Sequence, residues 1–445
     1  MNDDQNTRIL YRNAYILSII GFIVTLGFGC AGLMIPYLLL YFNGQLTELP
    51  EELGRIEAAG EIAFETSVLV SAFMLTRAFF ARYFGKLSDK LGRKPLIVLG
   101  LLIYTLLSYA YIMSRSWIDL LIIRAIQGIS SAMVWPIAEA MIMDSVKWHE
   151  RGKYMGMYMT STNLSFIFGP AIGAYVYKLS VIYFELQLPD CLFAPFYVLA
   201  IMSLLAFLMS FFTVEPLTSK ERKLRLPITL QKIPREILQQ ISLSLKIIYI
   251  MGFANGIAVG FVFPVFNIFV IQYVTSDPVA LGWLSTISGA AGILANYPAG
   301  YISDRIGRKN IVISGQLITR ISTFILPFIR TFRDLLIISI TRSIAFNIMS
   351  PAYRALQADL VPKQLRGKVF GTVQSLFNAG SALAPLGGLV YKHLSDSRLI
   401  IFGISLPAIA IVFWISALIG IFTTILFIIF VKEPEKEIKQ KISYS

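Results

Sequence analysis

An all-α integral membrane protein, with twelve transmembrane helices in two pseudo-twofold-related six-helix bundles, is the fold class that this sequence predicts. Three observations predict it. The composition suits lipid, because 56% of the 445 residues are apolar and 15% are charged, against about 25% charged in ordinary soluble domains. Apolar stretches of the roughly 20 residues needed to cross the hydrocarbon core recur about twelve times. The chain is also written twice: GKLSDKLGRK, from Gly85 to Lys94, returns as GYISDRIGRK from Gly300 to Lys309. The offset of 215 residues continues without gaps and pairs Asp119 with Asp334, Pro136 with Pro351, Asp144 with Asp359, Asn163 with Asn378 and Gly173 with Gly388. The halves therefore read as duplicated units.

The spans fall near 13–42, 66–84, 95–113, 117–143, 154–177, 192–213, 244–274, 280–301, 310–329, 334–358, 368–391 and 400–431. Several exceed a perpendicular crossing, which implies tilt or extension into water. Residues 1–213 form a first six-helix bundle, 214–243 a linker with Pro216, Pro227 and Pro234, 244–431 a second bundle, and 432–445 a tail. The N-terminal tail, the linker, the C-terminal tail and the loops at 85–94, 147–153, 304–309 and 363–368 carry about 25 of the 39 Lys and Arg, and the alternate loops about 7. Both termini and both copies of the repeated loop are accordingly expected in the cytoplasm of a plasma-membrane protein. The net charge of +13 is explained by this asymmetry together with anionic lipid, so no nucleic-acid partner is expected. The segment MNDDQNTRILYR lacks the pattern of a cleaved signal peptide, and Cys30 and Cys191 do not indicate a disulfide framework. The first outer loop carries Glu48, Glu51, Glu52, Glu57, Glu61 and Glu65 against Arg55. It reads as a solvated acidic lid or as a vestibule that attracts cations.

The repeated loop fits Gly-x-Leu-(Ala/Ser)-Asp-(Arg/Lys)-x-Gly-(Arg/Lys)-(Arg/Lys) at Gly85, Leu87, Ser88, Asp89, Lys90, Gly92, Arg93 and Lys94. The second copy fits at Gly300, Ser303, Asp304, Arg305, Gly307, Arg308 and Lys309. Arg124-Ala-Ile-Gln127-Gly128 in the fourth span and Gly169-Pro170-x-x-Gly173 in the fifth accompany it. On these residues the chain resembles a major facilitator superfamily transporter, of the twelve-helix branch that looks like drug/proton antiporters. Ser165 and Ala174 stand where the third motif of that family usually has glycine. The resemblance implies alternating access, a small-molecule substrate, a monomer, no bound cofactor, and a proton gradient as energy source with Arg124 in a coupling role. Many proton-coupled multidrug exporters resembling this family have a carboxylate in helix one, where this chain carries Thr25, Cys30 and Tyr37 instead.

Physics gives the loop motif a reading of its own. Gly85 and Gly92 permit close approach and a tight turn, and Asp89 can accept hydrogen bonds at a helix N-terminus. Arg93 is placed to pair with Asp144, and Arg308 with Asp359. Such partly solvated pairs are individually weak, about 0–1 kcal/mol, which suits a latch as well as it suits static topology. Inside the bilayer an ionisable residue is a functional candidate by default. Arg124, Gln127, Gly128, Ser131, Trp135 and Glu139 form one polar stripe, and Ser343, Asn347, Ser350 and Arg354 another, with Arg342 beside it. The two stripes are expected to face one cavity, with Glu139 and Arg354 at repeat-related positions. Those two either form an interior salt bridge or help couple transport. Arg124 lies near the outer end of its span and can snorkel. Asn163, Asn255, Asn267, Asn296 and Asn378 supply neutral groups for helix packing or for ligand contact.

Proton-coupled export of a drug-like or amphipathic compound is therefore the first reading, and transport of a sugar or organic anion the second, for which Arg124, Arg342 and Arg354 offer support. The chain is not expected to be an enzyme. His149 and His393 sit at membrane edges in different halves, and the sequence contains no HExxH, Gly-x-Ser-x-Gly or GxxxxGK[ST] motif and no paired cysteine ligands, so neither a metal centre nor direct ATP drive is expected.

Overall fold

A computed structural model describes the backbone of residues 2–147, 150–216, 235–361, 366–401 and 404–431, and their side chains apart from 2–9, 235–242, 297–306, 366–368, 401 and 404. In the first half α1 (Asn2–Gly32) breaks before α2 (Ile35–Phe42). The short α3 (Pro50–Leu53) and a 3₁₀ segment (Glu57–Ile62) lead to α4 (Ala63–Leu91). Then come α5 (Arg93–Ile112), α6 (Trp117–Ser145), α7 (Arg151–Phe184) and α8 (Asp190–Ser210). The second half contains α9 (Arg235–Tyr273), α10 (Pro278–Ile306), α11 (Arg308–Ile325), α12 (Phe332–Asp359), α13 (Arg366–Ser381), α14 (Ala384–Leu394) and α15 (Ala410–Phe430).

Among the described residues eleven helical segments are long and apolar enough to cross a membrane. The twelfth crossing is the pair α13 and α14, which Pro385, near the start of α14, divides. Proline lacks a backbone donor and clashes with the preceding turn. The same chemistry at Pro36 starts α2 afresh, whereas Pro136, Pro170, Pro264 and Pro351 lie inside continuous helices. The last span is shorter than its apolar run suggests. The start of the expected run does not extend α15, because Arg398–Ile401 and Ile404–Pro407 pair as antiparallel strands β1 and β2. Closely spaced isoleucines beside Gly403 and Pro407 favour strand over helix there.

Two compact units result. The first contains the described residues of 1–56, 68–226 and 275–286, and the second those of 57–67, 227–274 and 287–445. Each has an apolar core toward its motif loop, and the repeat offset of 215 residues carries one core onto the other. Leu96, Ile97, Ile137, Met141 and Tyr154 in the first are matched by Ile311, Val312, Ala352, Leu356 and Val369 in the second. Large apolar side chains such as Leu106, Ile122, Phe263 and Phe422 are exposed on the outer faces of these helices, as lipid contact requires.

At the end remote from the motif loops, the acidic loop is tied down. Within the first unit Tyr177 donates to Glu51 at 2.7 Å, Tyr37 to the Ser276 carbonyl at 2.8 Å, and Thr286 to the Ile167 carbonyl at 2.7 Å. Within the second, Gln272 donates to the Glu57 carbonyl at 2.8 Å and accepts from Tyr391 at 2.9 Å, while Lys392 pairs with Glu65 at 2.8 Å. The reading of a solvated lid is thus corrected for Glu65, whose carboxylate is engaged by Lys392, while Glu51 accepts from Tyr177 and stays exposed.

Candidate functional site

The two motif loops are built alike. Each is a one-residue break between helices at a glycine with positive φ, Gly92 at +106° and Gly307 at +95°, a backbone region that residues with a Cβ rarely enter. Lys94 reaches the Phe211 carbonyl at 2.7 Å, and Lys309 reaches the Ile428 carbonyl at 2.8 Å, so each motif lysine holds the C-terminal end of the last helix of its half. Arg93 stands 2.6 Å from Asp144 and Arg308 2.6 Å from Asp359. The second pair is hydrogen bonded. In the first, the Asp144 Oδ2 that meets Arg93 has no aligned donor, and the contact is one of charge. Gly300 and Asp304 lie outside the described side chains.

Two expectations for the first loop are corrected. Asp89 is exposed and makes no hydrogen bond among the described residues. The carboxylate at the N-terminus of α5 is Glu215, which accepts from the Arg93 and Lys94 amides at 2.8 and 2.9 Å. An anion placed against unpaired amides at a helix start gains from both the hydrogen bonds and the dipole. A Cβ at Gly92 would stand 3.0 Å from that carboxylate, whereas one at Gly85 would meet nothing. Close approach therefore explains the second motif glycine and not the first.

The interior of the first unit is organised around Arg124. Rather than snorkelling, this guanidinium is 8% exposed. It donates to Gln127 Oε1 at 3.3 Å, and its Cζ lies 4.8 Å from the Phe28 ring centre. Tyr111 donates to the same amide oxygen at 3.0 Å. The expected stripe on α6 is thereby divided. Gln127 turns to α5, Gly128 packs against Phe73 and Thr76 of α4, and Ser131 is buried, while Trp135 donates to Tyr104 at 3.3 Å. Glu139 is half-buried, and its charge bears on Tyr158, whose hydroxyl is buried without a hydrogen bond. Arg77 of α4, absent from the sequence-derived set, acts electrostatically on Tyr104 and Tyr158. Asn163 is exposed and makes no hydrogen bond among the described residues.

The Gly-Pro motif of α7 is a packing seam. A Cβ at Gly169 would lie 2.8 Å from Gly29 Cα, and one at Gly173 would lie 2.2 Å from the Cys30 carbonyl oxygen. Ser165, which replaces a motif glycine, donates across the same seam to the Phe22 carbonyl at 2.8 Å. Gly256 and Gly260 seat α9 on Phe377 and Ser381 of α13 in the corresponding way.

In the second unit the central cation is Arg320 of α11, which sequence reasoning missed. It donates to Asn255 Oδ1 of α9, an atom that also accepts from Thr423 at 3.4 Å. The guanidinium crosses α15 at Gly420, where a Cβ would come within 1.9 Å of its Nε. Arg342 of α12 lies within electrostatic range of it. An arginine at a helix centre costs on the order of 2.5–3.5 kcal/mol on insertion scales, yet the Arg320 Nε is buried without an acceptor. Asn347 accepts from Asn296 at 3.2 Å and donates to the Ser343 carbonyl at 2.9 Å. Gln374 donates to Asn378 at 3.0 Å. Asn267 is half-buried, and Arg354 is exposed. Glu139 and Arg354 belong to different compact units.

The sequence profile described as the Major Facilitator Superfamily matches residues 17–246 and 248–444. The chain belongs to that superfamily. Quinolone resistance protein NorA of Staphylococcus aureus (strain MSSA476) is 22% identical over 408 residues, covering 90% of this chain and 96% of the relative. Multidrug resistance protein 2 of Bacillus subtilis (strain 168) is 24% identical over 334 residues, covering 73% and 79%. Among solved structures, the inward-open xylose transporter XylE from E. coli aligns over 97% of this chain and 99% of its own, with TM-score 0.61 and 16% identity. A mutant of nucleoside transporter NupG aligns over 94% and 100%, with TM-score 0.61 and 14% identity. These structures share the fold of two six-helix halves.

This member of the superfamily is thus a multi-pass membrane transporter and not an enzyme. Its chemistry is that of recognition and movement: aromatic surface, amides and guanidinium groups set inside helices that close glycine contacts hold together.

Proposed function

We propose that this protein exports amphipathic, drug-like compounds by alternating access, in exchange for protons that Glu139 carries. The observation that carries the reading is the near full-length alignment with a protein named for quinolone resistance, joined by a shorter one with a protein named for multidrug resistance. Glu139 supports the proton assignment by its place. It lies six residues before the end of α6 and is the acid furthest from a helix end among the described membrane-crossing helices. A carboxylate there, half-buried and close to aromatic side chains, can take up and release a proton as its surroundings change. The distribution of Lys and Arg supports a cytoplasmic position for both termini and the motif loops.

Purified protein in proteoliposomes, loaded with ethidium or norfloxacin, tests this directly. An imposed pH gradient should drive uphill flux, and Glu139→Gln should lose that flux by at least about tenfold while retaining exchange of labelled for unlabelled compound. Flux indifferent to the gradient overturns proton coupling, and no flux of either compound overturns drug export.

A further inference from the structure

Where the acidic loop is tied down, the two halves of the sequence exchange helix ends. The 3₁₀ segment and the first turn of α4, residues 57–67, pack within the second compact unit, and the start of α10, as far as residue 286, packs within the first. The repeat offset relates the two places, since it carries Ser67 onto Gly282 and Gly173 onto Gly388. In each, a glycine lets the incoming helix lie against backbone. A Cβ at Gly388 would stand 2.3 Å from Ser67 Oγ and 2.4 Å from the Ala63 carbonyl oxygen, and one at Gly282 would stand 2.9 Å from the Pro170 carbonyl oxygen.

The likeness ends at the charges. Gly388, Lys392 and Ser395 recur at spacings of four and three, so they share one face of α14 and its C-terminal cap. Gly388 meets Ala63 and Ser67, and a Cβ at Gly60 would stand 2.3 Å from Ser395 Cβ. Between these contacts Lys392 Nζ lies 2.8 Å from Glu65 Oε1. The offset places Tyr177 and Ala280 at the corresponding positions of α7 and α10. Opposite charges therefore face each other in one seam and are missing from the same positions of its counterpart.

An ion pair of this kind adds little to the stability of a fold, but it can bias two arrangements of the same helices. Glu65 is 13% exposed and its Oε2 is buried without a donor among the described residues, so one bond to Lys392 answers the carboxylate while the seam is shut. In an open seam water would answer it instead. We propose that Glu65 and Lys392 form the releasable lock of the end remote from the motif loops, positioning residues whose attraction sets how long that end stays shut during transport. The inference rests on the alternating-access reading, under which that end opens once in each cycle, and names the pair that holds it.

Opening is read from the rate at which Ser67→Cys, buried against Gly388, reacts with a membrane-impermeant maleimide in the full-length protein in liposomes. Cys30 and Cys191 are buried, so protein without the added cysteine supplies the background. Glu65→Gln and Lys392→Gln should each raise the rate at least about fivefold. The exchanged pair, Glu65→Lys with Lys392→Glu, should return it to within about twofold of the original. Raising the salt from about 0.1 to about 1 M should speed labelling of Ser67→Cys alone and leave the Glu65→Gln protein unmoved, since screening acts on the pair. Ser395→Cys, at the other end of the seam, is read in parallel as a check on disturbed packing. Rates indifferent to both neutral variants and to salt overturn the lock. An exchanged pair that labels as fast as the single variants overturns it as well, because shape and not charge would then hold the seam. Ethidium flux is followed in the same liposomes: its absence beside the expected labelling removes the export reading and leaves the lock standing.

Discussion

The two halves bury their arginines in different surroundings. In the first, Arg124 is held by the Gln127 amide, which Tyr111 also engages, and by the face of Phe28. An acid, Glu139, lies further along the same helix. In the second, Arg320 and Arg342 share an apolar bundle with amides and hydroxyls, and Asn255 is the group that answers Arg320. Duplication gave both halves the same helices, cores and loop turns, and then their interiors diverged. Each guanidinium meets one amide oxygen and leaves its Nε buried without an acceptor, so the difference lies in the surroundings: an aromatic face beside Arg124, the backbone of α15 beside Arg320.

The largest contrast concerns the glycines that admit these side chains. Gly173 faces the backbone of α1, and Gly420 faces a flexible guanidinium. Gly173→Val should cost about 3 kcal/mol or more and eliminate monodisperse protein, since helices cannot be forced apart cheaply. Gly420→Ala should cost about 1–2 kcal/mol, with a modest fall in detergent melting temperature. Equal losses in the two variants would mean that Arg320 is as immovable as backbone.

A middle-sized effect separates the arginines themselves. Arg124→Ala opens a gap beside Phe28 and removes a donor from Gln127, at a cost of about 1–3 kcal/mol in thermal stability. Arg320→Gln removes a buried charge that no acid balances among the described residues, so its melting temperature should stay level or rise. A fall as large as that of Arg124→Ala would show that Arg320 is structural and would break the comparison.

The smallest effects belong to the loop pairs. Arg93 and Asp144 are each 11% exposed, against 28% and 17% for Arg308 and Asp359. Arg93→Ala should therefore destabilise by about 1–2 kcal/mol and Arg308→Ala by about 0–1 kcal/mol. Raising the salt to 1 M should diminish the Arg308 effect more, because screening acts on exposed charge.

How far the sequence could be read depended on which signals lie along the chain and which lie across it. Hydropathy and the repeat located the helices, with ends such as those of α1, α9 and α15 off by about ten residues, and the offset that aligned Arg93 with Arg308 also brought out Asp144 and Asp359. The same offset concealed Arg320, because its counterpart is the neutral Thr105. A charge in the middle of an apolar run was sufficient to find it, but Asn255, 65 residues away, could not be inferred. Asp89 was misread for a related reason. A local carboxylate next to a helix start is a sound expectation until a distant one, Glu215, takes the position. The hairpin at 398–407 escaped because an unbroken apolar run says nothing of its own periodicity.

Glu215 also bears on how the molecule is made. The acid that closes the start of α5 is supplied 121 to 122 residues later in the chain, just after the last helix of the first half. Until the ribosome has passed that point, the amides of Arg93 and Lys94 face their surroundings open. The cap of α5 is thus completed only when synthesis reaches the segment that follows the last helix of the first half.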